Sequence, residues 1–217
     1  MKFAEKLVVG IDEAGRGPLA GPVSVGIFGS PAGEWKKMEK WILKNIFEGK
    51  LRDSKKLSPQ KREEIYKKFC LLKKENKTHP NAAGGHVFFA VAHISNKIID
   101  KQGISKAVQI GINNLMNDKN KKSEIRLDGL LKAPSEFKNQ KTIIKGDEKD
   151  VFIACSSIVA KVSRDRLMCR LGSKDPLYAL EIHKGYGTKL HRKLIKKYGL
   201  STLHRKSFCK NLTISSK

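Results

Sequence analysis

Residues 7–22, LVVGIDEAGRGPLAGP, end an apolar β-rich run with two carboxylates, Asp12 and Glu13, and follow them at once with a loop of glycine and proline. The apolar run belongs inside a sheet, whereas ionised acids at its end need water, hydrogen-bond donors or a cation. A solvated strand end at a turn meets that need, and a cation site is the sharper option. Within the loop Arg16 stands between two glycines, and two prolines limit its freedom. Glycine lets backbone amides come close to a ligand, and a guanidinium offers a planar fork, so the loop suits a phosphodiester; a plain tight turn is the alternative. A second apolar run, Val23 to Phe28, follows directly, so two early strands joined by a functional loop are expected.

Further along, Glu34 to Phe47 carries Trp35, Met38, Trp41, Ile42 and Ile46 at mostly helical spacings, and core packing accounts for both tryptophans. Ser58 and Pro59 read as a helix cap and first helical residue, opening a helix to about Lys74. Residues 75 to 85 read as a polar loop, and Val87 to Ala92 as a strand. From Ile98 to Leu115 the spacing predicts a helix broken into two pieces at Gly103. Ile125 to Leu127 and Thr142 to Ile144 are short strands, each followed by an acid, Asp128 or Asp147, expected at the strand end. Asp150 to about Leu171 is the strongest helix, and its Ala154, Ser156, Ser157 and Ala160 leave it thin enough to pack closely on a sheet. Thr188 to Tyr198 forms another, capped by Thr188 and stopped by Gly199. The pattern predicts an α/β layer over residues 1–170 followed by a basic helical C-terminal extension, residues 171–217.

At 217 residues one main domain is the default. Forty-five Lys and Arg against 21 Asp and Glu give a net charge of +24 spread along the chain, which attracts polyanions; solubility or a basic proteome is the bland alternative. The four cysteines form no CxxC pair, which argues against zinc ligation and disulfides. The N-terminus lacks a cleavable apolar leader and no stretch reaches 18 consecutive apolar residues, so a cytoplasmic protein without a membrane partner is expected.

The blocks GIDEAGRGPLAGP (10–22), DSKKLS (53–58), LDG (127–129), KGD (145–147), SSIVAKVSRD (156–165), HKGYGT (183–188) and HRKSF (204–208) together resemble ribonuclease HII, in that family's order and over nearly the whole chain. The resemblance implies a ribonuclease H-like mixed β-sheet flanked by helices, with residues 1–170 as the catalytic core and residues 171–217 as an extension that packs on it and contacts substrate. It also implies an endonuclease that cuts the RNA strand of RNA/DNA hybrids and incises 5′ of ribonucleotides in duplex DNA, leaving 3′-hydroxyl and 5′-phosphate ends. Carried over residue by residue, Asp12, Glu13, Asp128 and Asp147 are the catalytic carboxylates that bind two divalent ions, Mn²⁺ or Mg²⁺. Gly15, Arg16 and Gly17 are expected to contact the ribonucleotide and its flanking phosphate, and Tyr186 its sugar. Lys55, Lys56, Lys145, Lys161 and Arg164 are candidate phosphate contacts or carboxylate partners, in decreasing order of exposure, and Lys161 is partly structural. His183, His191 and His204 are substrate-facing or structural, with no catalytic base among them. A monomer is expected, and a replication clamp or polymerase is an open partner.

Departures from the family pattern are a longer 29–50 segment, CSSIVA in place of a more alanine-rich block, and Gly103 at the start of a usually regular helix. Ribonuclease HIII shares the acidic set, but it has Thr at the Arg16 position and an N-terminal domain for which the nine residues before GIDEAG leave no space. A non-catalytic RNA-binding protein accounts for the charge and not for four acids in matched motifs.

Overall fold

The computed structural model describes residues 5–51, 53–78, 86–117 and 119–212. Five strands form one mixed sheet in the order β3-β2-β1-β4-β5. Strands β1 (Leu7–Ala14), β2 (Val23–Pro31) and β3 (Phe88–Ile94) run as an antiparallel meander. Strand β4 (Glu124–Asp128) lies parallel to β1, and β5 (Gln140–Ile143) parallel to β4.

Alternating side chains on β1 and β2 feed two cores. Val9, Ile11, Val25 and Ile27 face helices α3 (Asn96–Gln102) and α4 (Ile104–Met116), while Val8 and Phe28 face α1 (Trp35–Asn45), α2 (Pro59–Thr78) and α5 (Val151–Lys174). Gly103 divides α3 from α4 at φ 81°, a conformation that L side chains resist. Helix α2 runs past the expected end near Lys74 to Thr78, and residues 79–85 of the expected loop lie outside the described residues.

Helix α5 lies almost in van der Waals contact with the sheet. A Cβ on Gly10 would stand 2.2 Å from the Phe152 carbonyl carbon, and one on Gly26 would stand 2.4 Å from the Ser156 carbonyl oxygen. Only glycine in the strands, facing the small residues of the helix, permits that approach. The N-terminus of α5 is fixed by Asp150, whose Oδ1 accepts from the amides of Phe152 and Ile153, while its Oδ2 accepts from Arg126 of β4 at 2.9 Å. The Arg126 guanidinium also packs over the Trp35 ring at 4.5 Å, so this tryptophan covers a buried ion pair as well as core.

Helix α5 continues without a break through residue 170, so the expected domain division falls inside a helix. Beyond it α6 (Leu180–His183) and α7 (Lys189–Tyr198) fold back over the β1–β2 loop. Leu19 donates to the Gly185 carbonyl at 2.8 Å, and Ala20 bridges to His204. Residues 180–209 therefore pack against the β1–β2 loop. No helix among the described residues is long and apolar enough to cross a membrane.

Candidate active site

Strand pairing brings two of the expected acids together: Ile11 is in register with Leu127, so Asp12 and Asp128 stand one residue further along adjacent parallel strands. Neighbouring strands are about 4.8 Å apart at the backbone. Asp12 is buried, and its carboxyl is pushed well above the usual carboxylate range, first by desolvation, then by the charges of Glu13 and Asp128, with a hydrogen bond from Ser157 opposing them. Asp128 Oδ1 accepts from the Gly146 amide at 2.7 Å, which draws the segment carrying the buried Asp147 against the end of β4. Asp147 departs from its expected place at a strand end: Lys145 turns into the left-handed region, and Asp147 sits in the 3₁₀ turn Gly146–Glu148.

The acids lean on separate donors. Glu13 Oε1 accepts from Arg16 at 3.3 Å, and Asp12 Oδ1 from the Glu13 amide at 2.6 Å. Among the described residues no group of three or more His, Cys, Asp or Glu side chains is gathered in coordinating geometry. The chemistry of the acids suits a hard divalent cation: every donor is oxygen, Asp12 and Asp128 end adjacent parallel strands, and the buried Asp12 is destabilised as an anion by its neighbours. A cleft of about 460 Å³ opens beside it, lined by Glu13, Arg16, Asp128, Gly129 and residues of α4.

A line of hydroxyls supports Asp12 from behind. Ser157 on α5 donates to it, and Ser54 meets Ser157 at 2.8 Å. Arg62 ties down the Ser54 and Leu57 carbonyls, and Lys56 pairs with Glu148, next to Asp147, at 2.7 Å. The DSKKLS segment thus braces two of the acids.

The GRG loop is held by two buried guanidiniums. Arg205 donates to the carbonyls of Gly15 at 2.7 Å, Arg16 at 2.8 Å and Gly21 at 2.9 Å, and Arg164 to those of Pro22, Lys184 and Ala20. Burial is the main cause that pushes Arg205 down to about 9, with Arg164 adding to it. Gly15 at φ 90° lies against Arg164, where a Cβ would fall 2.0 Å from Nε. The loop carbonyls turn inward to the arginines, while the Arg16 side chain, 45% exposed, pairs with Glu13 at the loop surface.

The family is decided by sequence over the whole fold: the profile described as Ribonuclease HII matches residues 9–211. The chain belongs to the ribonuclease HII family. A ribonuclease HII of Caldicellulosiruptor bescii is 41% identical over 207 residues, covering 95% of this chain and 88% of the relative. The solved PCNA:RNase HII complex from Archaeoglobus fulgidus superposes with a TM-score of 0.68 at 22% identity, covering 96% and 97% of the two chains. The ribonuclease H2 of Pyrococcus horikoshii superposes at 0.65 and 21%, covering 95% and 96%. The family makes the chain a ribonuclease H, a hydrolase acting on RNA/DNA hybrids.

The other expected contacts are distributed unevenly. Tyr186 is 40% exposed, with Lys161 Nζ 5.6 Å and Arg164 Cζ 5.7 Å from its ring centre. Lys161 also pairs with Asp165 at 2.8 Å. Gly17 has open space around its Cα, and Lys145 is exposed. Lys56 is exposed, and the side chain of Lys55 lies outside the described residues. Arg164, expected to be the least exposed of these, is fully buried and donates to three carbonyls of the loop and its neighbour segment. Sequence reasoning missed Arg205 and the Ser54–Ser157 support, although HRKSF, DSKKLS and SSIVAK contain all three residues.

Proposed function

We propose that the chain incises 5′ of ribonucleotides embedded in duplex DNA, as well as cutting hybrids, with Asp12, Glu13, Asp128 and Asp147 holding two divalent cations, Mg²⁺ or Mn²⁺. The placement of Asp12 and Asp128 at the ends of adjacent parallel strands, with the turn that carries Asp147 bonded to Asp128 and a cleft opening beside Glu13 and Asp128, supports this reading. The cations would supply charge neutralisation at the phosphodiester and activation of water, giving 3′-hydroxyl and 5′-phosphate ends. Asp12 and Asp128 fix the site to the rigid sheet, and Ser157 keeps the Asp12 carboxylate turned toward its neighbours. Arg16 offers its guanidinium to the flanking phosphate, with Gly15 and Gly17 allowing close approach, and Tyr186 stands beside the sugar of the ribonucleotide. Lys56, Lys145 and Lys161 contribute positive potential along the same face, and the overall charge docks the duplex. The Archaeoglobus fulgidus structure is a complex with PCNA, which makes a sliding clamp a candidate partner here.

The test uses a duplex with one ribonucleotide, an RNA/DNA hybrid and an all-DNA control, each with Mg²⁺, with Mn²⁺ and with chelator. Metal-dependent cutting 5′ of the single ribonucleotide is expected, with affinity falling steeply as salt rises. Cleavage of the hybrid alone would reject the embedded-ribonucleotide reading.

A further inference from the structure

Behind Tyr186 three histidines are packed together, and none of them belongs to the acid cluster. His183 stacks on His191 at 4.1 Å between ring centres, His191 Nε2 lies 3.1 Å from His204 Nε2, and all three are buried. Two nitrogens 3.1 Å apart form a hydrogen bond only if one carries a proton and the other a lone pair.

The ends of the chain decide which. The backbone amide of Ser201 donates to His204 Nδ1 at 2.9 Å, so that nitrogen must be a lone pair and the neutral ring carries its proton on Nε2. His204 Nε2–H then donates to His191 Nε2, leaving the His191 proton on Nδ1. There it donates to the Tyr186 carbonyl at 3.0 Å, which can only accept. An amide at one end and a carbonyl at the other give the sequence of bonds one direction, and only two neutral rings complete it. His183 is fixed separately, accepting from the Gly185 amide at 3.2 Å and donating to the Tyr178 carbonyl at 2.9 Å.

We propose that His191 and His204 are positioning residues for ribonucleotide recognition: a one-way hydrogen-bond relay from the Ser201 amide to the Tyr186 carbonyl holds Tyr186 in its working stance. This rests on the reading of Tyr186 as the sugar contact. The same carbonyl also accepts from the Thr188 amide at 2.8 Å, so the relay closes a turn whose other side, Gly185, is bonded to Leu19 of the catalytic loop. Burial keeps both rings neutral at physiological pH. His191 is held at about 4 by desolvation and then by His183, and His204 is lowered by desolvation, with a backbone hydrogen bond at Ser201 and then Asp175 opposing. The charged groups around the cluster are Asp175, Glu181 and Lys184, with the Tyr178 ring edge-on to His204 at 4.8 Å. A proton added to His191 Nε2 would face the His204 N–H, and one added to His204 Nδ1 would face the Ser201 amide.

The direct test is long-range proton–nitrogen NMR on the full chain labelled with ¹⁵N-histidine at pH 7.5. The relay requires His204 neutral with its proton on Nε2 and His191 neutral with its proton on Nδ1. A charged ring or the opposite tautomer at either position overturns it. A pair of variants gives the functional readout on the single-ribonucleotide duplex. His191→Asn keeps an N–H near the Nδ1 position and is expected to stay within about threefold of wild type in kcat/KM, whereas His191→Leu loses about tenfold, the worth of one hydrogen bond. Equal rates in the two variants overturn the relay. The tautomer measurement is independent of turnover, so the proposal fails separately from the reading beneath it: a Tyr186→Ala variant with wild-type rates removes the tyrosine from recognition even where the tautomers are as expected.

Discussion

Gly26→Ala adds one methyl group at the place where the structure has least room. Gly26 is paired directly with Asp12 across β1 and β2, so the two positions share the face that meets α5. The new Cβ would stand 2.4 Å from the Ser156 carbonyl oxygen, 2.9 Å from the Ala160 amide nitrogen and 3.0 Å from the Ala160 Cβ. Unbonded heavy atoms settle at roughly 3.5 Å, so the helix must retreat by about 1 Å. Two of the three obstacles are backbone atoms of a helix, which cannot rotate away as a side chain can. Overpacking of this kind costs roughly 1–3 kcal/mol, which in a chain of this size lowers Tm by about 2–12 °C. The retreat also carries Ser157, next to the obstructing Ser156, away from the Asp12 carboxylate that it orients. A displacement of about 1 Å at a reacting centre costs on the order of 100-fold in rate. Thermal denaturation and metal-dependent cleavage of a hybrid measure the two effects. Gly33→Ala is the control, because a Cβ there meets nothing within 4 Å. A Gly26→Ala protein that melts with wild type and cuts at its rate would refute the argument that this contact sets the position of the helix.

Asp12→Asn removes one buried charge beside Glu13 and Asp128; it is expected to raise Tm in chelator and to abolish the rise that Mg²⁺ or Mn²⁺ gives to wild type, read by calorimetry. If metal stabilises both proteins equally, Asp12 is not a ligand. Arg205→Lys keeps the charge, but a single ammonium cannot span the Gly15, Arg16 and Gly21 carbonyls, so a loss of about 3 kcal/mol in urea unfolding is expected, and unchanged stability would count against the clamp. The histidine cluster makes stability depend on pH. Its rings are held below the free value near 6.5, so the folded state binds fewer protons, and stability is full above that value and declines as pH falls toward about 4. For His191 the loss is about 1–3 kcal/mol once screening by nearby water is allowed for, and His191→Asn should flatten the denaturation profile between pH 6.5 and 4.

Features of this fold that depend on neighbours in sequence were legible in the sequence. Thr188 caps α7 through its own hydroxyl, the α5 helix begins from Asp150 as its pattern implied, and Gly103 breaks the α3–α4 run, because each acts within three or four residues of itself. The small residues of α5 were legible as a thin face, although the glycines opposite them, Gly10 and Gly26, were not paired with that face. The acids could be assigned to strand ends only as far as periodicity reached. Asp128 ends β4, but nothing local announces that Lys145 will adopt φ 55° and carry Asp147 into a 3₁₀ turn. Least visible were contacts spanning the chain: Ser54 to Ser157 crosses 103 residues, and Arg205 reaches Gly15 across 190. Composition reads Arg205 as one more cation of a basic tail, whereas the fold buries it completely.

That burial argues for what the C-terminal segment is for. Two guanidiniums, Arg164 and Arg205, sit in the interior, burial pushes both down, Arg164 adds to the lowering of Arg205, and both donate to neutral carbonyls. Withdrawing an ion from water costs several kcal/mol, so for stability alone an apolar side chain of similar volume would serve as well or better. An apolar side chain cannot orient backbone, however. Six carbonyls, those of Gly15, Arg16, Ala20, Gly21, Pro22 and Lys184, are fixed by the two forks, and this sets how the catalytic loop and the Tyr186 segment face each other across the site. On this reasoning residues 180–209 serve to hold the β1–β2 loop in place, and the cost of burying two arginines is balanced by that fixed loop.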